Sequence, residues 1–351
     1  MKKSLLALAV AAALPAFAQA QTNVSLYGSL DMSLESVNGD ANGGNSDLKV
    51  TDGVWSQSRL GFKGSEDLGG GLKGIFQMEH RFRPDTGAQT SGTSFWQGQS
   101  WVGLGGGFGE IKLGRMYTPV FQALLPGDMT GYSWYNNQVG LGGTRVRFGN
   151  EIEYKSPSLG GFTIYGAYSA SGGLAQAANA GTGSPAVSDT SQEPAGTSSD
   201  ATKIGDAIGV AGVGAFGPVK FGIGYHSIKD GFVGATGTRK ELGASVGGKI
   251  GPVGIGLTYA TVDPSGNNDK TKAFGATASM GFGAGTVYVS FTKTNPDGDN
   301  NNSTGLGLTY SHGLSKRTFA YASLDMNTVE QGAGQDDLKP RAIALGVRHF
   351  F

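Results

Sequence analysis

Short glycine-rich turns alternate with long polar connections along this chain, and the segments between them place apolar residues at every second position. The turns fall at residues 66–71, 105–109, 158–161, 216–218, 250–252, 282–285 and 312–315. The long connections include 171–202, 229–238, 263–270, 295–302 and 328–337. A period of two belongs to a strand with one apolar and one polar face. In the first such segment Val24, Leu26, Gly28, Leu30, Met32 and Leu34 share one face, and Ser25, Tyr27, Ser29, Asp31, Ser33 and Glu35 share the other. One strand of this kind suits a soluble sandwich as well as a membrane barrel. The repeated short-then-long connection is the asymmetry of the barrel, with short periplasmic turns and long external loops. Each short turn joins two strands and the first and last strands must pair to close the sheet, which makes about sixteen strands. A barrel of that size leaves an aqueous channel.

The ends and the composition agree with export. Met1-Lys2-Lys3, an apolar run over residues 5–17 and Ala18-Gln19-Ala20 form a secretory signal, residues 1–20, with cleavage expected after Ala20. The apolar run is too short for a membrane anchor helix. Residues 21–351 are then the barrel, and loss of Lys2 and Lys3 from a chain with 27 basic and 27 acidic residues leaves a formal charge of −2. Such a balance argues against a nucleic-acid partner, which needs a concentrated basic face. With no cysteine there is no disulfide framework and no zinc-thiolate site. Beyond the signal no apolar run approaches the length of a membrane helix, so a membrane-embedded form of this chain must be a closed barrel.

One connection differs from the others. About thirty residues, 116–146, lack a clear period yet carry Phe121, Leu124, Leu125, Tyr132, Trp134 and Tyr135. That much apolar surface needs something to pack against. The segment, the third external loop, is expected to fold into the lumen and narrow the pore. The charges at inward parity on the neighbouring strands are Arg59, Lys63, Glu79, Arg81 and Arg83, then Arg145, Arg147, Glu151 and Glu153. Solvation of a wet lumen accounts for such groups without any function; opposed charges at a narrowing would instead bias ion passage. The final strand ends in Val347-Arg348-His349-Phe350-Phe351, and the terminal aromatic Phe351 suits the interfacial girdle of a barrel and an assembly signal.

These residues carry a family resemblance. Val24-Ser25-Leu26-Tyr27-Gly28, Ser58-Arg59-Leu60-Gly61-Phe62-Lys63-Gly64, Gln99-Ser100-Trp101-Val102-Gly103-Leu104, Gly107-Phe108-Gly109 with Gly114-Arg115, Asn150 through Pro157, and the ending at Phe351 keep one order along the chain. As a set they resemble the general porins of Gram-negative bacteria, of the β-proteobacterial type found in Neisseria and Bordetella. The resemblance implies a homotrimer of sixteen-stranded barrels set in outer-membrane lipid and lipopolysaccharide, with an inward third loop facing a cluster of wall arginines. Arg59 and Arg147 match two members of that cluster. The family often has an arginine where this chain has Gly98, which argues for a weaker anion preference. Asp128 is the only carboxylate between Met116 and Thr144. Candidate constriction residues are therefore Arg59, Arg147, Asp128, Arg81 and Arg145.

Catalytic readings are poorly supported. The glycine run 103–109 lacks the Gly-Lys-Ser/Thr ending of a phosphate loop. His80, His226, His312 and His349 lie on different strands without metal-ligand spacing. The Asn-rich run 297–303 is better read as a solvated loop than as a calcium site. The expectation is a passive outer-membrane channel for small hydrophilic solutes and ions with a modest anion preference, no cofactor and no enzymatic step. The alternatives are a substrate-preferring channel, an outer-membrane enzyme, or a soluble β-rich binding protein.

Overall fold

The computed structural model describes residues 23–38, 47–90, 94–131, 138–170, 175–177, 206–229, 237–264, 270–296, 302–330 and 336–351. The signal segment, Tyr132, Trp134, Tyr135 and most of the Asn-rich run lie outside the described residues. The first strands are β1 (Asn23–Asn38), β2 (Asp47–Asp52), β3 (Arg59–Gly69), β4 (Leu72–Arg81), β5 (Gln99–Gly106) and β6 (Gly109–Tyr117). A short helix, α1 (Pro119–Leu124), precedes β7 (Arg145–Lys155), β8 (Phe162–Ser169) and β9 (Ala175–Ala177). The remainder are β10 (Ala207–Phe216), β11 (Val219–Lys229), β12 (Thr238–Ile250), β13 (Val253–Asp263), β14 (Thr271–Phe282), β15 (Gly285–Pro296), β16 (Ser303–Gly313), β17 (Thr318–Val329) and β18 (Arg341–Phe350).

Paired strands run antiparallel throughout, and β1 closes the sheet on β18 from Ser29↔Phe350 to Asn38↔Arg341. Two wall positions are each built from two segments. β1 pairs with β2 through Met32↔Asp52 to Val37↔Asp47, and with β3 through Asn23↔Ser65 to Ser29↔Arg59. In the same way β7 takes β8 along Glu151–Lys155 and β9 along Arg145–Phe148. The 18 segments thus occupy 16 positions of a closed barrel. Closure satisfies every sheet edge internally, as lipid requires.

The seven glycine turns expected from the sequence join hairpins, as at Gly69–Leu72 and Gly217, where the backbone takes φ of +85° and +57°. Side chains separate as the period predicts. Val24, Leu26, Leu30 and Leu34 are exposed on the outer face of β1, while Ser29, Asp31, Ser33 and Glu35 are buried on the inner face. The structure differs from the sequence reading at residues 175–177, which lie in the long connection 171–202 yet form β9, and in the first hairpin. There, residues 47–52 form β2, whereas Trp55 to Ser58 leave the wall. Six residues, Gly53 to Ser58, stand opposite only Leu30 and Asp31 of β1, so the surplus bulges inward. Val54, Trp55, Ser56, Gln57 and Ser58 are all buried.

The described residues of the long connection, 118–131 and 138–144, run along the inner face of β10 to β15. A glycine floor lets its backbone approach the wall. A Cβ on Gly222 would overlap the Ala123 carbonyl, one on Gly247 the Pro126 carbonyl, and one on Gly256 the Gly127 carbonyl. Val120, Phe121 and Leu124 are completely or almost completely buried there. Each side chain contributes roughly 1.5–3 kcal/mol of apolar burial to the docked loop.

Candidate functional site: a luminal constriction

The loop is fixed by its first residues. Thr118 caps α1 by accepting from Phe121 N at 3.3 Å, and its hydroxyl donates to Arg145 O at 2.8 Å. Pro119 at the first helical position suits its fixed φ and missing donor. The Val120 N–H donates to His226 Nε2 at 3.1 Å. Nε2 must then be the bare nitrogen, so the ring proton lies on Nδ1 and is donated to Glu241 Oε2 at 3.1 Å. Glu241 also accepts from Arg145 N at 2.9 Å and from Arg239 Nε at 2.6 Å, and Arg239 Nη2 donates to Gly143 O at 2.8 Å. One buried carboxylate therefore fastens both ends of the loop. Sequence reasoning treated His226 only as a failed metal ligand. The missed signal is an ionisable pair, His226 and Glu241, at inward parity among glycine, alanine and serine.

Farther along, the loop is stitched to the wall through side chains. Thr277 Oγ1 donates to Gly127 O at 2.7 Å and accepts from Met129 N at 3.1 Å. Gln138 accepts from Thr258 Oγ1 at 2.6 Å and donates to Phe291 O at 3.3 Å. Asp128 shapes the turn by accepting from the N–H and hydroxyl of Thr130 at 2.8 and 2.6 Å. The Thr130 carbonyl accepts from Trp55 Nε1 at 3.1 Å, which joins the loop to the inward bulge.

Asp31 organises that bulge. Its carboxylate accepts from Ser56 N at 2.9 Å and Tyr321 Oη at 2.6 Å, and its backbone carbonyl accepts from Gly53 N at 3.1 Å. Gln57, held in the same bulge, accepts from Arg59 Nε through its carbonyl at 3.2 Å and from Arg81 Nη1 through Oε1 at 3.0 Å. Arg81 Nη2 and Arg147 Nη2 both donate to Tyr117 Oη, at 3.0 and 2.8 Å. The Arg147 guanidinium lies 4.4 Å from the Tyr117 ring centroid, and that ring stacks on Phe121 of α1 at 4.0 Å. Thus Arg59, Arg81 and Arg147, from β3, β4 and β7, are brought together at the foot of the loop. Arg145 meets the site through its backbone N–H, at the Glu241 fastening.

Glu79 is the acidic member of the arginine cluster. Its Oε1 accepts from Arg81 Nε and Nη2 at 3.0 and 2.9 Å, and Tyr27 Oη donates to Oε2 at 3.2 Å. Gly98 makes room for it, since a Cβ there would overlap the Glu79 side chain. The absence of an arginine at position 98 therefore goes with a carboxylate occupying that space. Three guanidiniums against one carboxylate leave an excess of two positive charges. Among the described residues no group of three His, Asp or Glu side chains is placed to hold a metal ion.

Phe351 lies at the barrel seam. It exchanges backbone hydrogen bonds of 3.1 Å with Gly28 in both directions, and its ring covers the α-carbon of Gly28 where a Cβ would clash. The terminal aromatic thus fits onto the first strand and extends the β1–β18 closure.

Comparisons with known proteins agree with this architecture. A family profile described as Gram-negative porin matches residues 7–332. The chain is 43% identical over 172 residues to outer membrane porin protein 32 of Delftia acidovorans, a match spanning 46% of this chain and 48% of that protein. It is 30% identical over 396 aligned positions to an outer membrane porin protein of Bordetella pertussis, covering 100% of both. The solved structure of an anion-selective porin from Comamonas acidovorans superposes with a TM-score of 0.74 at 24% identity, covering 94% of this chain and 100% of that one.

Proposed function

We infer that this chain, which belongs to the Gram-negative porin family and forms an outer-membrane β-barrel, is a passive diffusion channel for small hydrophilic solutes and ions with a modest preference for anions. The observation that carries the preference is the gathering of Arg59, Arg81 and Arg147 around Tyr117 with Glu79 as the acidic member. A fixed positive excess in a narrow passage is screened less than charge at an open surface and lowers the free energy of a passing anion. A difference of about 1.4 kcal/mol changes relative partitioning roughly tenfold. The Arg81–Glu79 pair offsets part of that field, so the preference is modest. Asp128 supports the site by holding the turn that presents the Thr130 carbonyl to Trp55. Conduction needs weak interactions and no catalytic step.

The functional unit in this reading is a homotrimer, secreted with cleavage after Ala20, which N-terminal sequencing of the mature protein checks directly. Selectivity is tested by the zero-current potential of purified channels in a planar bilayer under a potassium chloride gradient. The double variant Arg59→Ala/Arg147→Ala should move that potential toward cation preference. A wild-type potential from correctly assembled double-mutant channels would reduce these arginines to ordinary solvation of the lumen.

A further inference from the structure

A second basic feature lies on the inner wall beside the short turns, formed where β15 to β18 face the inward bulge. A cavity of about 430 Å³ is lined there by Trp55, Tyr288, Phe319 and Phe350, with Arg348 and Ser311 among its polar groups. Arg348 is only 8% exposed, and among the described residues its Nε has no hydrogen-bond partner. Its guanidinium lies 5.1 Å from the centroid of Trp55 and 4.4 Å from that of Phe350. Trp55 meets Tyr288 edge-on at 5.6 Å, so the aromatic wall continues beyond the cation. A buried guanidinium with a vacant donor is costly unless something accepts from it. The carboxylate that acts on it electrostatically, Asp31, already accepts from Tyr321 and Ser56.

We propose that this cavity is a weak binding station for small aromatic carboxylates in transit. A carboxylate accepts from the Arg348 donors, and the attached ring packs edge-to-face or offset against Tyr288, Phe319 and Trp55. An aliphatic carboxylate gains the charge but not the ring contacts. A neutral aromatic gains the ring contacts but leaves the guanidinium unanswered. The volume fits a one-ring acid within the usual range for small-molecule sites. The site rests on the channel reading above, because the ligand must reach it through the lumen.

Benzoate, cyclohexanecarboxylate, acetate and benzyl alcohol, titrated separately against chloride current through purified channels, test the proposal. Benzoate should reduce the current saturably, with a half-blocking concentration at least about fivefold below that of cyclohexanecarboxylate and lower still relative to acetate and benzyl alcohol. Arg348→Gln should raise the benzoate value by about fivefold or more, and Arg348→Lys should also raise it because the planar fork is lost. Equal block by benzoate and cyclohexanecarboxylate would overturn the proposal, as would full retention of benzoate block in Arg348→Lys, which would make the effect one of charge alone. If the Arg348 variants give no assembled channels, Tyr288→Ala carries the same comparison away from the terminal strand. Benzoate affinity unchanged in that variant would likewise overturn the site. The zero-current potential in chloride, read before any benzoate is added, reports on the constriction separately.

Discussion

At the scale of single residues, the proposed selectivity rests on side chains that share partners. Glu79 is held by Arg81 and Tyr27 inside the arginine cluster, in space left open by Gly98. Glu79→Gln keeps the shape, removes the negative charge and raises the positive excess from two to three. The zero-current potential of this variant should move toward stronger anion preference, opposite to the arginine variants. Movement toward cations would show that Glu79 acts mainly by positioning Arg81. His226 makes a second test. His226→Phe retains a ring against Phe148, 5.0 Å away, but removes the acceptor for the Val120 N–H and a donor to Glu241. A buried donor left unsatisfied costs about 1–3 kcal/mol, so the loop should dock less firmly. Larger current fluctuations in an assembled channel are the expected result, and wild-type noise would place the fastening elsewhere.

At the scale of elements, the narrowing is built from two segments rather than one. The loop follows a glycine floor on β11 to β14, and the bulge at Gly53 to Ser58 comes from the opposite side of the sheet order. They meet at the Trp55–Thr130 hydrogen bond. Deleting residues 124–135 removes that meeting point and shortens the loop, while leaving every wall strand intact. Single-channel conductance should rise in correctly assembled protein. Unchanged conductance would place the limiting aperture at the bulge, among Trp55, Gln57 and the arginines.

At the scale of the whole molecule, closure depends on the last strand reaching the first. β18 pairs with β1 over ten residues and Phe351 extends the seam by its two bonds to Gly28. Deleting Phe351 removes those bonds and the ring that covers Gly28. The yield of the heat-modifiable trimer proposed above, read as a slow band in unheated samples that collapses on boiling, should fall. A normal yield from the deletion would mean that the seam from Ser29 to Asn38 suffices for assembly.

Much of this protein is legible in one dimension because the information is local. A period of two assigns faces, glycine turns assign hairpins, and the alternation of short and long connections gives the count of wall positions. The apolar content of residues 116–146 points the loop toward a packing surface, and parity places Arg59, Arg81 and Arg147, with six other charges, on the inner face. Other features depend on residues far apart meeting across the lumen. Asp31 accepts from Tyr321, 290 positions away, and Val120 donates to His226, 106 positions away. The bulge is hidden in one dimension because Trp55-Ser56-Gln57-Ser58 runs without a turn signal straight into the alternating strand that begins at Arg59. Parity states which side of a wall a group faces, but not which groups on the facing walls lie within 3 Å. That is set by barrel closure and register, so the Glu241 fastening, the Glu79 offset and the aromatic setting of Arg348 were decided only by the tertiary structure.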